Sequence, residues 1–221
     1  AGEKRPVIVY FFGGGWKLGT PLQFYRECAY YASKGMVAVS VDYRIEYLHH
    51  STPFDSFEDA KDAICWLRSH ASDYQLDPDK IAVAGGSAGG HLAAALGTIG
   101  SDEAVNYRPN LSVLYYPVVD MVSRGYGFPE IKRDFEKISP IHHVSEATPS
   151  TLILLGTKDP IVSVETIRSY QDKLLQKGVD CELHLFEGAG HPIFLYRKPL
   201  TEDYYKVRKL TDDFLKREGF L

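Results

Sequence analysis

The sequence predicts an α/β fold in which a mostly parallel, doubly wound sheet carries helices on both faces. Short apolar runs rich in Val, Ile and Leu alternate with longer amphipathic segments, which is the pattern of parallel strands joined by helices. The runs at residues 7–12 and 81–84 are apolar at every position, as strands that are covered on both faces require. With 221 residues and 44% hydrophobic content the chain can bury one large core, so we expect a single domain over residues 1–221.

The strands are predicted from apolar runs that end at glycine, proline or polar residues. The first run, PVIVYFF, stops at three glycines, and the second, MVAVSV, starts directly after Gly35. The third run, KIAVA, leads into a glycine-rich turn. The expected strands span residues 7–12, 36–41, 81–84, 111–116, 151–155 and 181–186.

The helices are predicted from apolar residues at helical spacing, bounded by residues that start or stop a helix. Gly35 and Gly178 supply the left-handed residue that follows a helix, and Pro53 supplies a favourable first helical residue. The expected helices span residues 23–34, 54–69, 88–99, 164–177 and 201–217.

Residues 120–148 follow neither periodicity. This segment carries Tyr126, Phe128 and Phe135 among charged residues. At this length it can form a small flap over a binding site, or it can be a surface insertion without a role in binding. The sequence leaves both alternatives open.

The segment KIAVAGGSAGGHLAAAL contains Gly-x-Ser-x-Gly, with Ser87 at its centre, where a strand turns into a helix. Small residues on both sides allow the sharp turn that lifts a serine hydroxyl above the sheet, so Ser87 is the candidate nucleophile. The alternatives are a packing turn or a phosphate-binding turn. The Ala88 N–H, at the start of the helix, faces any anion that forms beside the serine.

A serine nucleophile needs a base and an orienting carboxylate, and this motif places them downstream in the order Ser, Asp, His. Asp159 follows the strand TLILLG, and His191 lies in a glycine-flanked loop after the last strand. Both follow carboxyl ends of parallel strands, which meet at one edge of a sheet. Asp120 is the alternative acid, and His142 or His143 is the alternative base.

Residues 13–16, GGGW, follow the first strand and are called the glycine loop. Consecutive glycines let backbone N–H groups turn toward a ligand without a Cβ in the way. A phosphate loop is disfavoured because no Gly-Lys-Ser/Thr follows. We therefore expect Gly13, Gly14 and Ala88 to stabilise an oxyanion beside Ser87.

These motifs together resemble the α/β-hydrolase superfamily, in its esterase and lipase branch with an HGGG oxyanion motif. The resemblance rests on GGGW, VAVSVDYR, DPDKIAVAGGSAGGHLA, GTKDPIV and GAGH. Within that branch the chain is similar to small acetyl xylan esterase-like carbohydrate esterases. This implies a serine esterase without a cofactor that removes short acyl groups, acetyl or feruloyl, from plant polysaccharides or sugars.

The chain departs from the family pattern at two places. The family's histidine before the glycines is Phe12 here, so the loop must be held by packing of Phe12 and Trp16. The first strands of the fold are expected to be missing, because the chain begins almost at the strand before the glycine loop. Four aromatic residues that follow motif elements are candidates for the pocket lining, although a core position is preferred for Tyr43: Trp16, Tyr43, Tyr47 and Phe194.

Composition excludes several function classes. A net charge of −4 with scattered Lys and Arg gives no basic patch for nucleic acid. The apolar runs are too short to cross a membrane, and the His residues lack the partners of a metal site. Cys28, Cys65 and Cys181 are expected to be buried free thiols. Compartment and oligomeric state stay open.

Two other classes remain compatible with the motifs. A serine peptidase of the prolyl oligopeptidase type has the same triad order, but such enzymes usually carry a propeller domain, whereas these 221 residues are expected to form a catalytic domain alone. A non-catalytic α/β-hydrolase that serves as a binding module is the second alternative. Its usual mark is a missing triad residue, and all three candidates are present.

Overall fold

The computed structural model describes residues 4–100, 107–121, 129–196 and 199–221, and side chains at 129–133 are not part of the description. Within these residues six strands form one parallel sheet in the order β2-β1-β3-β4-β5-β6. They are β1 (Arg5–Phe11), β2 (Val37–Val41), β3 (Leu76–Gly86), β4 (Leu111–Tyr115), β5 (Ser150–Gly156) and β6 (Cys181–Phe186). The α-helices are α1 (Tyr25–Ser33), α2 (Glu46–His49), α3 (Pro53–Ser69), α4 (Ala88–Thr98), α5 (Val164–Gln176) and α6 (Glu202–Arg217).

Helices cover both faces of the sheet. From β1 to β2 the chain crosses the sheet in one direction, and from β2 onward it crosses in the other direction. Because such crossovers are right-handed, α1 lies on one face of the sheet and α3, α4 and α5 lie on the other face. Helix α6 lies on the α1 side, where the Tyr204 hydroxyl donates to Glu27 Oε1 at 2.6 Å. The predicted α/β-hydrolase sheet with helices on both faces is confirmed.

The change of direction also creates the crevice in which open α/β sheets bind ligands. It lies between β1 and β3, where the strand order reverses. The glycine loop follows β1 and Ser87 follows β3, so the fold brings these two segments together before any side chain is considered.

The predicted elements are found with shifted ends. Strand β3 begins five residues earlier than the predicted residue 81, because Leu76 pairs with Arg5 of β1. The first predicted helix opens with a 3₁₀ turn, Pro21–Phe24, before α1. Helix α2 was not predicted, since a single turn in a polar loop has no periodicity to detect.

The segment 120–148 proves to be partly core, which the sequence did not predict. Its described part holds two 3₁₀ helices, Pro129–Ile138 and Pro140–His142, and Phe135 and Ile138 are buried. This described part is therefore not a simple surface insertion. Tyr126 and Phe128, the other aromatic residues named for a flap, lie outside the described residues.

The three cysteines are free, as predicted, but the prediction that all three are buried is wrong. Cys181 is buried, whereas Cys28 and Cys65 are partly exposed. Burial and the neighbouring Glu27 carboxylate raise the pKa of the Cys28 thiol to about 12, so this thiol stays protonated and unreactive.

Candidate active site

Ser87 sits on the tight turn between β3 and α4. Its backbone has a positive φ of 57° with ψ −118°, a strained combination for a residue with a side chain, and its N–H donates to the Tyr115 carbonyl at 3.1 Å. A Cβ at Gly85 would lie 2.3 Å from the Gly89 carbonyl oxygen, and one at Gly89 would lie 2.0 Å from the Phe11 oxygen. Glycine is therefore required on both sides of the serine, and the turn leaves the Ser87 side chain partly exposed.

Ser87, His191 and Asp159 form one hydrogen-bonded chain. His191 Nε2 lies 2.8 Å from Ser87 Oγ, and His191 Nδ1 lies 2.6 Å from Asp159 Oδ2. Because a carboxylate accepts only, Nδ1 carries the proton and Nε2 is left to accept from the serine hydroxyl. This is the arrangement in which an imidazole can take the serine proton.

Asp159 is held rigidly under the imidazole. Its side chain is fully buried, and its Oδ1 accepts from the Ile161 and Val162 amides at 2.8 and 2.9 Å. Burial alone would raise the pKa of the carboxyl, but the hydrogen bonds from His191 and from these two amides lower the pKa overall. The group therefore stays ionised beneath the histidine.

The alternative triad residues lie elsewhere in the hydrogen-bond network. Asp159, and not Asp120, is hydrogen-bonded to His191. His143 Nε2 donates to the Glu136 carbonyl at 2.8 Å, and His142 is exposed on the second 3₁₀ helix.

The glycine loop differs from expectation at Gly13. Its N–H donates to the side-chain Oε1 of Gln23 at 2.6 Å, so it is not a free oxyanion donor. Gly14 and Gly15 have no acceptor for their N–H groups among the described residues, and Ala88, as the first residue of α4, has none within its helix. The free donors are therefore Gly14, Gly15 and Ala88.

The Trp16 side chain is mainly an anchor of the glycine loop and contributes less to the pocket. The residue is left-handed at φ 59° and only 1% exposed, and its Nε1–H donates to His91 Nδ1 at 3.3 Å. His91 Nε2 in turn donates to the Ile138 carbonyl at 2.7 Å. Trp16 contributes to the cavity wall, as predicted for a pocket residue, but its indole is fixed by α4.

A cavity of about 430 Å³ opens over Ser87 and His191. Its remaining walls are largely apolar and include residues that the sequence analysis missed, because loop residues carry no periodicity: Leu18, Gln23, Tyr116, Val118, Ile161 and Leu195. The Tyr116 ring stands edge-on to His191 at 4.8 Å between centroids. Only its place directly after β4 could have marked Tyr116 in advance.

The other aromatic candidates are placed differently. Tyr43 is fully buried and stacks on Phe12 at 4.1 Å between ring centroids, which makes it a core residue. Phe194 is buried against Tyr115 and does not line the cavity. Tyr47 lines a neighbouring cavity of about 500 Å³ together with Lys17, Leu18, Glu46 and His50.

No group of three or more metal-binding side chains occurs in the part of the chain that the structure describes. None of the helices described is both long and apolar enough to span a bilayer. The site can activate a hydroxyl, stabilise an oxyanion and accommodate a small apolar group.

Comparison with known proteins identifies the family of the chain and its esterase relatives. The BD-FAE family model matches residues 1–133. The chain is 32% identical to the esterase LipC of Mycobacterium tuberculosis over 86% of this chain and 53% of that protein. It is 25% identical to an acetylxylan esterase of Xylanibacter ruminicola over 89% of this chain and 44% of that protein. The chain thus spans about half the length of the curated relatives it matches.

Solved structures of a thermophilic esterase from Thermogutta terrifontis are similar over nearly the whole chain. The propionate-bound form superposes with a TM-score of 0.91 at 39% identity, covering 99% of this chain and 85% of that one. The same esterase has been solved phosphonylated by sarin, also with a TM-score of 0.91. The chain therefore has the fold of a carboxylesterase, and the proteins that it is similar to are esterases.

Proposed function

We propose that this chain, which belongs to the BD-FAE family of α/β-hydrolases, hydrolyses carboxylic esters of short acyl groups through a Ser-His-Asp mechanism. The observation that carries the proposal is the unbroken chain Ser87–His191–Asp159 at the wall of a small cavity. The loop amides without acceptors lie in the same wall. The esterase relatives support the same reaction class.

The mechanism follows from the hydrogen bonds of His191, whose Nδ1 carries a proton toward Asp159 and whose Nε2 accepts from Ser87. His191 takes the proton of Ser87 as its oxygen bonds to the ester carbonyl carbon, and Asp159 stabilises the imidazolium. The Gly14, Gly15 and Ala88 amides hold the oxyanion. His191 then returns the proton to the alcohol oxygen as the C–O bond breaks. Water repeats the sequence on the acyl-enzyme, which releases the acid and restores Ser87.

The cavity supports a short acyl group. Its volume of about 430 Å³ lies near the lower end of the range of roughly 300–1,000 Å³ that is usual for small-molecule sites. Val118, Ile161 and Leu195 give it apolar walls. We infer that acetyl, propionyl and butyryl esters are substrates and that long acyl chains are not.

The neighbouring cavity supports a sugar as the alcohol. Leu18 lines both cavities, so an ester bound over Ser87 can extend its alcohol past Leu18. Tyr47 is 80% exposed and offers a flat ring, and Lys17 and Glu46, paired at 2.9 Å, offer groups that bind hydroxyls. Flat apolar rings combined with polar groups suit a sugar face.

The reaction is tested with nitrophenyl esters of increasing acyl length and with Ser87→Ala. We expect turnover of the acetate to butyrate esters, little turnover of the decanoate, and a loss of several orders of magnitude in Ser87→Ala, since removing a triad member costs about a millionfold in kcat. A phosphonylating inhibitor should label Ser87. Labelling of another residue, or full activity of Ser87→Ala, would refute the mechanism.

An aminoacyl-proline anilide tests the peptidase alternative on the same samples. Faster turnover of the anilide than of nitrophenyl acetate would contradict the esterase proposal. No turnover of either, with Ser87 unlabelled, would favour a binding module.

The alcohol subsite is tested with Tyr47→Ala. We expect a clearly higher KM for acetylated xylo-oligosaccharides and a smaller change in KM for nitrophenyl acetate, whose alcohol is a single ring without sugar hydroxyls. The control is Tyr205→Ala on α6, another exposed tyrosine, which should change neither. Equal effects of Tyr47→Ala on both substrates would contradict a sugar site at this position.

A further inference from the structure

The side chain of Gln23 binds both polar groups of Gly13. The Gly13 N–H donates to Gln23 Oε1 at 2.6 Å, and Gln23 Nε2 donates to the Gly13 carbonyl at 3.5 Å. One amide thus holds one residue of the glycine loop on both of its backbone groups. The 2.6 Å bond fixes the Gly13 N–H, and the 3.5 Å contact adds a weaker second restraint on the same residue.

The backbone that carries Gln23 is itself anchored to the sheet. Gln23 lies on the 3₁₀ turn Pro21–Phe24, where its N–H donates to the Thr20 carbonyl at 3.1 Å. The Pro21 carbonyl accepts from Ser40 of β2 at 2.8 Å. Phe24 is buried and stacks on Tyr10 of β1 at 4.8 Å between centroids. The Gln23 side chain therefore extends from a base that two strands hold in place.

Gly13 in turn touches the turn that carries the nucleophile. A Cβ at Gly13 would lie 2.7 Å from the Gly86 carbonyl oxygen and 3.3 Å from Ser87 Cβ. Gln23 lines the cavity together with Ser87. A shift of Gly13 would therefore change the position of the next amide, that of Gly14, relative to Ser87.

We propose that Gln23 is a positioning residue of the esterase reaction: it holds Gly13 so that the Gly14 amide faces the oxyanion. The inference rests on the proposed function, in which Ser87 forms that oxyanion. Oxyanion stabilisation depends steeply on donor distance, so a small displacement lowers the rate of the chemical step. A polar residue directly before the glycines could hold the glycine loop by hydrogen bonds, but Phe12 has no side-chain donor or acceptor. Gln23 supplies hydrogen bonds to the loop instead.

The first test is Gln23→Met, which keeps the length of the side chain and removes both hydrogen bonds. We expect kcat for nitrophenyl acetate to fall roughly 10- to 100-fold, with KM within about twofold, because the interaction is needed in the transition state. The matched control is Gln171→Met on α5, whose amide donates to the Cys181 carbonyl at 3.4 Å. This control should leave kcat unchanged.

The second variant, Gln23→Glu, adds a readout that a purely structural role would not change. The carboxylate can still accept from the Gly13 N–H, so the fold is retained, but its charge lies beside the developing oxyanion. We expect the ratio of its kcat to that of the wild type to rise as the pH falls from 8 to 4, with the rise at the low end of this range, because a carboxyl with an ordinary pKa of about 4.3 takes up its proton there. A ratio that does not change with pH overturns the proposal.

Inhibition by an aryl trifluoromethyl ketone, to which Ser87 adds to give a tetrahedral oxyanion, completes the test. The inhibition constant of Gln23→Met should rise by the same factor by which kcat/KM falls. A raised KM with unchanged kcat, or a lower kcat with unchanged inhibition, overturns the positioning role. Activity retained in Ser87→Ala would instead refute the proposed function, so the two failures are distinguishable.

Discussion

His91 should make the folded protein less stable as the pH falls, and the effect should be measurable separately from other groups. The imidazole is fully buried between Trp16 and the Ile138 carbonyl, and burial lowers its pKa to about 4. In the unfolded chain the pKa of histidine is about 6.5. Below that pH the unfolded state binds a proton that the folded state excludes, so the free energy of unfolding falls.

The magnitude follows from the difference between the two pKa values. A difference of about 2.5 units corresponds to about 3 kcal/mol, lost between pH 6.5 and pH 4, with about 2 kcal/mol lost by pH 5. Above pH 6.5 both states are neutral and His91 contributes no pH dependence. The loss weakens a contact that holds Trp16 and with it the glycine loop.

The assay is urea unfolding of the wild type and His91→Gln at pH 8 and pH 5. Glutamine offers one donor and one acceptor, as His91 does, but does not titrate. We expect the stability advantage of the wild type to shrink by about 2 kcal/mol between the two pH values. His142→Gln is the control, because His142 is exposed. An advantage that is the same at both pH values would refute the reasoning.

Three further predictions concern the triad, Phe12 and metals. Asp159→Asn should lower kcat by roughly 10⁴-fold, because the imidazole loses its orienting partner. Asp120→Asn should change kcat little. The opposite pattern in ester turnover would identify Asp120 as the acid. Phe12→Ala should lower the free energy of unfolding by about 3–5 kcal/mol and reduce turnover, and Phe12→His should be milder; an unchanged melting temperature in Phe12→Ala would contradict this. Dialysis against a chelator should leave turnover unchanged, and a loss that zinc restores would disprove the metal-free mechanism.

The sequence predicted the triad residues because each of them follows a strand. Ser87 comes directly after β3, and Asp159 and His191 lie in the loops that follow β5 and β6. Parallel strands bring their carboxyl ends to one edge of the sheet. Chain order and topology therefore placed them together without any knowledge of packing. Their roles remain predictions for the experiments above.

Residues whose position depends on packing could not be predicted in this way. Gln23 reaches Gly13 because Phe24 anchors the turn that carries both residues on β1, and nothing in the spacing of these residues indicates that contact. In the sequence His91 is an ordinary helical residue. Its contact with Trp16 exists because Trp16 has a positive φ, which turns its indole toward α4. The role of Ile138 was equally hidden, because its segment has no periodicity.

The glycine loop is held from three directions by elements that are distant in sequence. Gln23 binds the backbone of Gly13, the Tyr43 hydroxyl donates to the Phe12 carbonyl at 2.6 Å, and His91 accepts from Trp16. These contacts come from the turn before α1, from the chain after β2 and from α4. Because each fixes a different part of residues 12–16, the loop keeps its shape without a histidine at its start. Phe12 then needs only to fill space against Tyr43, which a phenyl ring does well.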